Sequence, residues 1–187
     1  MIKKMNKILI VGLGSMGKRR IRNLQKLGYD HLFGFDLRDD RILETKKKYK
    51  IKCFNNFKNA LNEKPDMMII STPPHLHKEY AKKAIQQNIH IFLEVNLLSD
   101  HVQSILKSSK KSSSIICTSN TMRFHPVVKK LKTLVDQKKI GKIYSVHHHV
   151  GHFLPNWHPW ESYQDFFISR KETGGAKELV PVELNWL

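Results

Sequence analysis

The strongest constraint on this chain is an apolar run, Ile8-Leu9-Ile10-Val11, that breaks directly into Gly12-Leu13-Gly14-Ser15-Met16-Gly17. A continuous apolar run of this length suits a strand buried on both faces. The G-x-G-x-x-G spacing is weak evidence alone, because glycine is common. Behind a buried strand and ahead of a helix, however, each glycine has its own mechanical job. Gly12 makes the tight turn, Gly14 lets the backbone approach a pyrophosphate with no Cβ in the way, and Gly17 lets the next helix pack closely on the strand. A helix opening near Ser15 and Met16 aims its free N–H groups and the positive end of its dipole at the phosphates. Lys18, Arg19 and Arg20 either strengthen that field or form solvated surface.

The second apolar run, Leu32-Phe33-Gly34-Phe35, ends at Asp36. This places a carboxylate about 20 residues beyond the loop, where it can accept hydrogen bonds from the adenosine ribose hydroxyls. That favours NAD over NADP, whose 2′-phosphate the carboxylate would repel. Arg38 and Arg41 are close enough in sequence to neutralise such a phosphate. Asp36 could instead cap the following helix, a role Asp39 and Asp40 could also fill.

Further apolar runs follow at regular spacing: Met67-Met68-Ile69-Ile70, Ile89-His90-Ile91-Phe92-Leu93 and Ile115-Ile116-Cys117. Between them, apolar stripes at three- and four-residue steps (Ile21, Leu24, Leu27; Tyr80, Ala81, Ala84, Ile85; Val102, Ile105, Leu106) mark helices packed on a sheet. Within Ile51 to Asn62 a short strand at Cys53-Phe54 and a brief helix are expected. Strict alternation of strand and helix implies right-handed crossovers and an α/β fold, a doubly wound parallel sheet. This Rossmann domain is expected over 1–121. Residues 122–187 are expected to hold a connecting helix from Pro126, with Val127, Val128, Leu131, Leu134 and Val135 as its stripe. A strand over Ile143 to Val150 and a Pro- and Trp-containing loop from Leu154 to Trp160 should follow. With one strand, this reads as an incomplete α+β domain. No internal repeat is evident, and Ser108 to Ser114 is the one biased stretch.

A formal charge of +17 invites a nucleic-acid reading. The lysines argue against it. Lys46, Lys47, Lys48, Lys82, Lys83, Lys129 and Lys130 fall on polar helix sides without interleaved exposed aromatics, so solvated faces are expected. No apolar run approaches the roughly 20 residues of a membrane span. The lysines ahead of Ile8 mimic a signal peptide, but the apolar stretch is too short and runs into the glycine loop. Cys53 and Cys117 are far apart in short apolar runs, so two buried free thiols in a reducing cytoplasm are expected. His147 and His149 would share one strand face, yet no carboxylate or cysteine stands at a supporting spacing, so no metal site is expected. Trp157 and Trp160 suit either sugar stacking or packing between domains.

From about Lys7 onward the chain resembles the Gfo/Idh/MocA oxidoreductases. Ser71-Thr72-Pro73-Pro74-His75-Leu76-His77 resembles the S-T-P-N-x-x-H segment after the family's fourth strand, with Pro74 in place of Asn. Glu94-Val95-Asn96-Leu97-Leu98 stands where the family has E-K-P-L-A. Asn120-Thr121-Met122-Arg123-Phe124-His125-Pro126 is similar to Y-N-M-R-F-H-P, and Lys139 to Ile143 to G-K-I-G-K-I. Trp157 to Tyr163 resembles members associated with surface sugars. The resemblance implies that Ser71, Thr72, Pro73, His77, Glu94 and Arg123 border the cofactor. His77 also reads as a helix-start residue, and Glu94 as a solvent-facing strand end. The departures are chemical. Val95 replaces a lysine that supports proton transfer, and Gly174 to Leu184 carries neither the Asp nor the His of the family's G-G-G-x-L-L-D-L-x-x-H-E helix. Pro181 is expected to disturb that helix. The catalytic residues are therefore left unassigned.

Two functions stay open. One is an NAD(P)-binding oxidoreductase acting on a sugar or nucleotide sugar in surface-polysaccharide metabolism. The other is a truncated, catalytically silent cofactor-binding remnant, or half of a split enzyme completed by a complementing C-terminal chain or a homo-oligomer. A third, a basic nucleic-acid-binding protein, lacks support from the charge distribution.

Overall fold

The computed structural model describes residues 7–95, 98–158, 161–165 and 167–187. The chain divides into two compact units, Met1–Ser119 and Asn120–Leu187.

The first unit is a six-stranded parallel sheet in the order β3-β2-β1-β4-β5-β6. Its strands are β1 (Ile8–Val11), β2 (Leu32–Phe35), β3 (Lys52–Phe54), β4 (Met67–Ile70), β5 (His90–Leu93) and β6 (Ile116–Thr118). Between them run α1 (Ser15–Lys26), α2 (Asp39–Tyr49), α3 (Phe57–Leu61), α4 (His77–Gln86) and α5 (Ser99–Ser109). Alternate residues of each strand serve opposite faces. Leu9, Val11, Met68, Ile70, Ile91 and Leu93 join α3, α4 and α5 in one core. Ile8, Ile10, Leu32 and Ile69 join α1 and α2 in the other. Burial on both faces is why these strands read as unbroken apolar runs.

Helix stripes are narrower than their sequence pattern suggests. Tyr80, Ala81, Ala84 and Ile85 are all buried, but Leu27 is 74% exposed because it caps the C-terminus of α1, past the last turn that faces the sheet. Leu106 is exposed beside buried Ile105.

Cys53 is buried, whereas Cys117, expected to be buried, is exposed, because β6 is an edge strand and Cys117 points away from the core. Desolvation pushes the Cys53 thiol up to about 11. At about pH 8 roughly a thousandth of it is thiolate, the reactive form. A maleimide is therefore expected to label native protein at Cys117 and to reach Cys53 only in denaturant. Equal native labelling of both, read by peptide mass spectrometry, would overturn this burial pattern.

The second unit contains α6 (Pro126–Asp136) and α7 (Ala176–Leu184), with short 3₁₀ turns between and before them. The expected strand over Ile143 to Val150 does not form; residues 141–153 are irregular. An alternating pattern needs a partner strand to pair with, and among the described residues this unit offers none. The α6 stripe exists but buries none of its residues. α7 continues through Pro181, contrary to expectation. The hydrogen bond it forgoes is to the carbonyl of Lys177, an exposed residue that water can serve. Glu183 accepts from Trp186 Nε1 at 2.9 Å and pairs with His148 Nε2 at 2.8 Å. His148 is thus a hydrogen-bond partner of Glu183. Among the described residues no three His, Cys, Asp or Glu side chains form a group that could hold a metal. Trp160, Asn96 and Leu97 lie outside the described residues.

Candidate functional site

β1 and β4 are neighbours in the sheet although the chain leaves β1 in the opposite direction, toward β2. At such a switch point the loops leaving two adjacent strands diverge, opening a crevice at their carboxyl ends. The glycine loop leaves β1 there, and the loop beginning at Ser71 leaves β4.

The glycines are held by contact. Gly12 has φ +90°, and a Cβ on it would stand 2.7 Å from the Ser71 carbonyl oxygen. A Cβ on Gly17 would stand 1.8 Å from the Gly12 carbonyl oxygen, so only glycine lets α1 start against the strand. Gly14 is different: the nearest atom to its Cβ position is a guanidinium nitrogen of Arg41, at 3.6 Å. It forms the open part of the loop. Ser15 and Met16 begin α1, which has no side-chain cap. First-turn N–H groups without a cap are available to an anion.

Asp36, at the end of β2, is 7% exposed. Its Oδ2 accepts from the Leu13 N–H at 2.7 Å and its Oδ1 from the Arg38 N–H at 3.0 Å. The carboxylate therefore braces the glycine loop while Arg41 Nη1 lies 3.7 Å away. The Arg38 guanidinium turns to Asp40, with contacts of 3.0 and 2.6 Å. Its hydrogen bond and charge hold the Asp40 carboxyl down at about 2. Of the two arginines, Arg41 is the one beside the loop.

On the other side of the switch point, the Ser71 N–H donates to the Val11 carbonyl at 2.8 Å. His77 is buried and donates from Nε2 to the Thr72 carbonyl at 2.7 Å, so its ring fixes the loop that Pro73 shapes. Thr72 Oγ1 is buried and has no hydrogen-bond partner among the described residues. Glu94 follows β5, and both its oxygens are bound by Arg20: Nε to Oε1 at 2.9 Å and Nη2 to Oε2 at 2.8 Å. Ser71 Oγ donates to Glu94 Oε1 at 3.2 Å, and Arg20 Nη2 also donates to Ser119 Oγ at 2.8 Å. Arg20, expected to strengthen the phosphate field or to be solvated surface, is not solvated surface, since its side chain is 15% exposed and bound to Glu94; Ser119 is not singled out by the sequence. Arg20 stands three residues after buried Gly17 and four before Leu24, which places it on the sheet-facing side of α1. Arg123 belongs to the second unit, exposed in a 3₁₀ turn over Thr121–Phe124.

Residues 6–117 match the model of an oxidoreductase family with an NAD-binding Rossmann fold, GFO_IDH_MocA. The chain belongs to the GFO_IDH_MocA family. Among curated relatives, myo-inositol 2-dehydrogenase of Thermotoga maritima is 30% identical over 142 residues, which is 73% of this chain and 42% of that protein. The crystal structure of myo-inositol 2-dehydrogenase from Lactobacillus plantarum superposes with a TM-score of 0.69 at 24% identity, covering 75% of this chain and 43% of that one. The WlbA dehydrogenase of Bordetella pertussis, solved with NADH and UDP-GlcNAcA, gives a TM-score of 0.70 at 18% identity over 75% of this chain and 45% of that one. These two structures show the fold. The chain spans less than half the length of these GFO_IDH_MocA relatives.

Proposed function

We propose that the chain binds NAD, in preference to NADP, along the carboxyl edge of its sheet. Gly12, Gly14, Ser15, Met16 and Gly17 receive the pyrophosphate, Asp36 takes the adenosine ribose, and Ser71, Thr72, Pro73 and Glu94 border the nicotinamide half. His77 contributes by holding the loop. The observation that carries this reading is the position of Asp36: it ends the strand beside the glycine loop, with its carboxylate 2.7 Å from a loop amide. The open face at Gly14, the uncapped first turn of α1 and the unpartnered Thr72 hydroxyl all fit a dinucleotide. When bound, the nicotinamide supplies hydride exchange with a carbon of the substrate.

The substrate class we infer is a sugar-type polyol or nucleotide sugar, by likeness to the inositol dehydrogenases and to the UDP-sugar complex. Val95 offers no proton where the family resemblance has lysine, and general acid–base groups contribute about 10²- to 10⁴-fold in rate. Turnover therefore depends on groups beyond those described, which we infer come from a complementing chain or another copy. Two free thiols suit a cytoplasmic setting. Among the described residues no helix is long and apolar enough to cross a membrane.

Titration with NADH tests the reading. Purified protein is expected to shift and enhance or quench NADH fluorescence at micromolar concentrations, with no substrate-dependent oxidation by this chain alone. No fluorescence response at high micromolar protein would refute cofactor binding. Rapid substrate-dependent turnover would refute the dependence on other groups.

A further inference from the structure

The basic triplet after the glycine loop divides its labour. Lys18 pairs with Glu44 of α2, and Arg19 is exposed. Arg20 alone turns onto the carboxyl edge, where its guanidinium lies 5.0 Å over the Phe92 ring and grips both oxygens of Glu94. The two side chains are only 15% and 16% exposed. With Ser71 and Ser119 they tie α1 to the ends of β4, β5 and β6 at one point. A pair this desolvated gains little stability over apolar residues of the same volume, so stability alone does not account for it. Its place does. Asp36 lies on the β2 side of the switch point and Glu94 on the β4–β5 side, the half of the crevice opposite the adenosine.

We propose that Arg20 is a positioning residue that orients and neutralises Glu94, and that it thereby sets the relative affinity of the site for oxidised and reduced nicotinamide. The inference rests on the dinucleotide reading of this edge. Oxidised nicotinamide carries one more positive charge than the reduced ring. A bare carboxylate at that half of the crevice favours the oxidised form, and a carboxylate paired with Arg20 does not. Val95, next in the chain, brings no charge to change this balance.

The test compares dissociation constants of NAD⁺, NADH and ADP-ribose for the full chain and for Arg20→Met, Arg20→Lys and the double variant Arg20→Met/Glu94→Gln. ADP-ribose lacks the nicotinamide and reports the adenosine and pyrophosphate contacts separately. In Arg20→Met the ratio of NADH to NAD⁺ dissociation constants is expected to rise roughly tenfold, the effect of one partly screened charge near the ring. ADP-ribose binding should change by less than this ratio does, because it lacks the nicotinamide whose charge Glu94 meets, and any effect of the lost cation on the pyrophosphate is shared by NAD⁺ and NADH and cancels in their ratio. Arg20→Lys and the double variant should return the ratio to the parent value, the first by restoring the cation and the second by removing the carboxylate. An equal loss for all three ligands, an unchanged ratio, or a shift that Glu94→Gln leaves in place would each overturn the proposal. If the parent chain bound none of the three ligands, the dinucleotide reading itself would fall, a result distinct from those.

Discussion

The Gly17→Ala variant is expected to lose about 3 kcal/mol of unfolding free energy, a drop of roughly 6 to 12 °C in melting temperature, together with measurable NADH binding. The added Cβ would lie 1.8 Å from the Gly12 carbonyl oxygen and 2.9 Å from its carbon. Both are backbone atoms, which cannot rotate aside as a side chain can. Gly12 has no room to retreat, since its own Cβ position is 2.7 Å from the Ser71 carbonyl at the end of β4. The start of α1 must therefore lift off β1, opening the packing around Ile21 and Ile10, both fully buried. Gly14→Ala makes the informative contrast. Its Cβ meets nothing nearer than Arg41 at 3.6 Å, so the variant should melt like the parent and yet bind NADH weakly, because on the proposed reading the methyl stands in the path of the pyrophosphate. Circular dichroism melts and NADH titration of both variants separate the two roles. A Gly17→Ala protein that melts within about 2 °C of the parent, less than 1 kcal/mol is worth at this size, would show that the loop does not need the close contact.

The parts of this fold that were legible in the sequence are those where local pattern and tertiary demand coincide. β1, β2 and β4 are buried on both faces and announce themselves as unbroken apolar runs. The edge strand β3, with one buried residue, carries the weakest pattern of the sheet, a short run at Cys53-Phe54. Ile143 to Val150 has a strand-like pattern as well, but pattern measures one segment and a strand needs two. Cys117 misled for a related reason: an apolar run at the edge of a sheet buries only part of itself.

The site divides along the same line. The close packing at Gly12 and Gly17 and the placement of Asp36 beside the loop follow from spacing within one βαβ unit. Arg20 does not, because its partners are 74 and 99 residues away in sequence. Its inward direction was open to inference only from its position on the Gly17–Leu24 face of α1. The roles of the two arginines after Asp36 were equally closed. Both are near it in sequence, but Asp40 captures the side chain of Arg38 and leaves Arg41 beside the loop. The burial of His77 against the Thr72 carbonyl was likewise invisible, although the helix it begins was not.

On the proposed reading, Asp36 is where stability and cofactor choice meet, and substitutions there should separate the two. In Asp36→Ala the Leu13 N–H loses its 2.7 Å acceptor inside the protein, a loss of about 1 to 3 kcal/mol for a buried unsatisfied donor. Asp36→Asn keeps an acceptor oxygen of the same reach and should retain most of that stability. Both variants remove the negative charge that would meet a 2′-phosphate, and both remove the carboxylate that lies 3.7 Å from Arg41 Nη1. NADPH should therefore gain on NADH by on the order of a hundredfold in relative affinity, about 2.7 kcal/mol of changed preference. Asp36→Asn/Arg41→Met should give back most of the NADPH gain, because the guanidinium would pair with the phosphate. Fluorescence titrations with both reduced cofactors, alongside urea unfolding, read the two effects independently. If Asp36→Asn bound NADPH no better relative to NADH than the parent does, the carboxylate would not be the group that chooses the cofactor, and its service would be to brace the glycine loop.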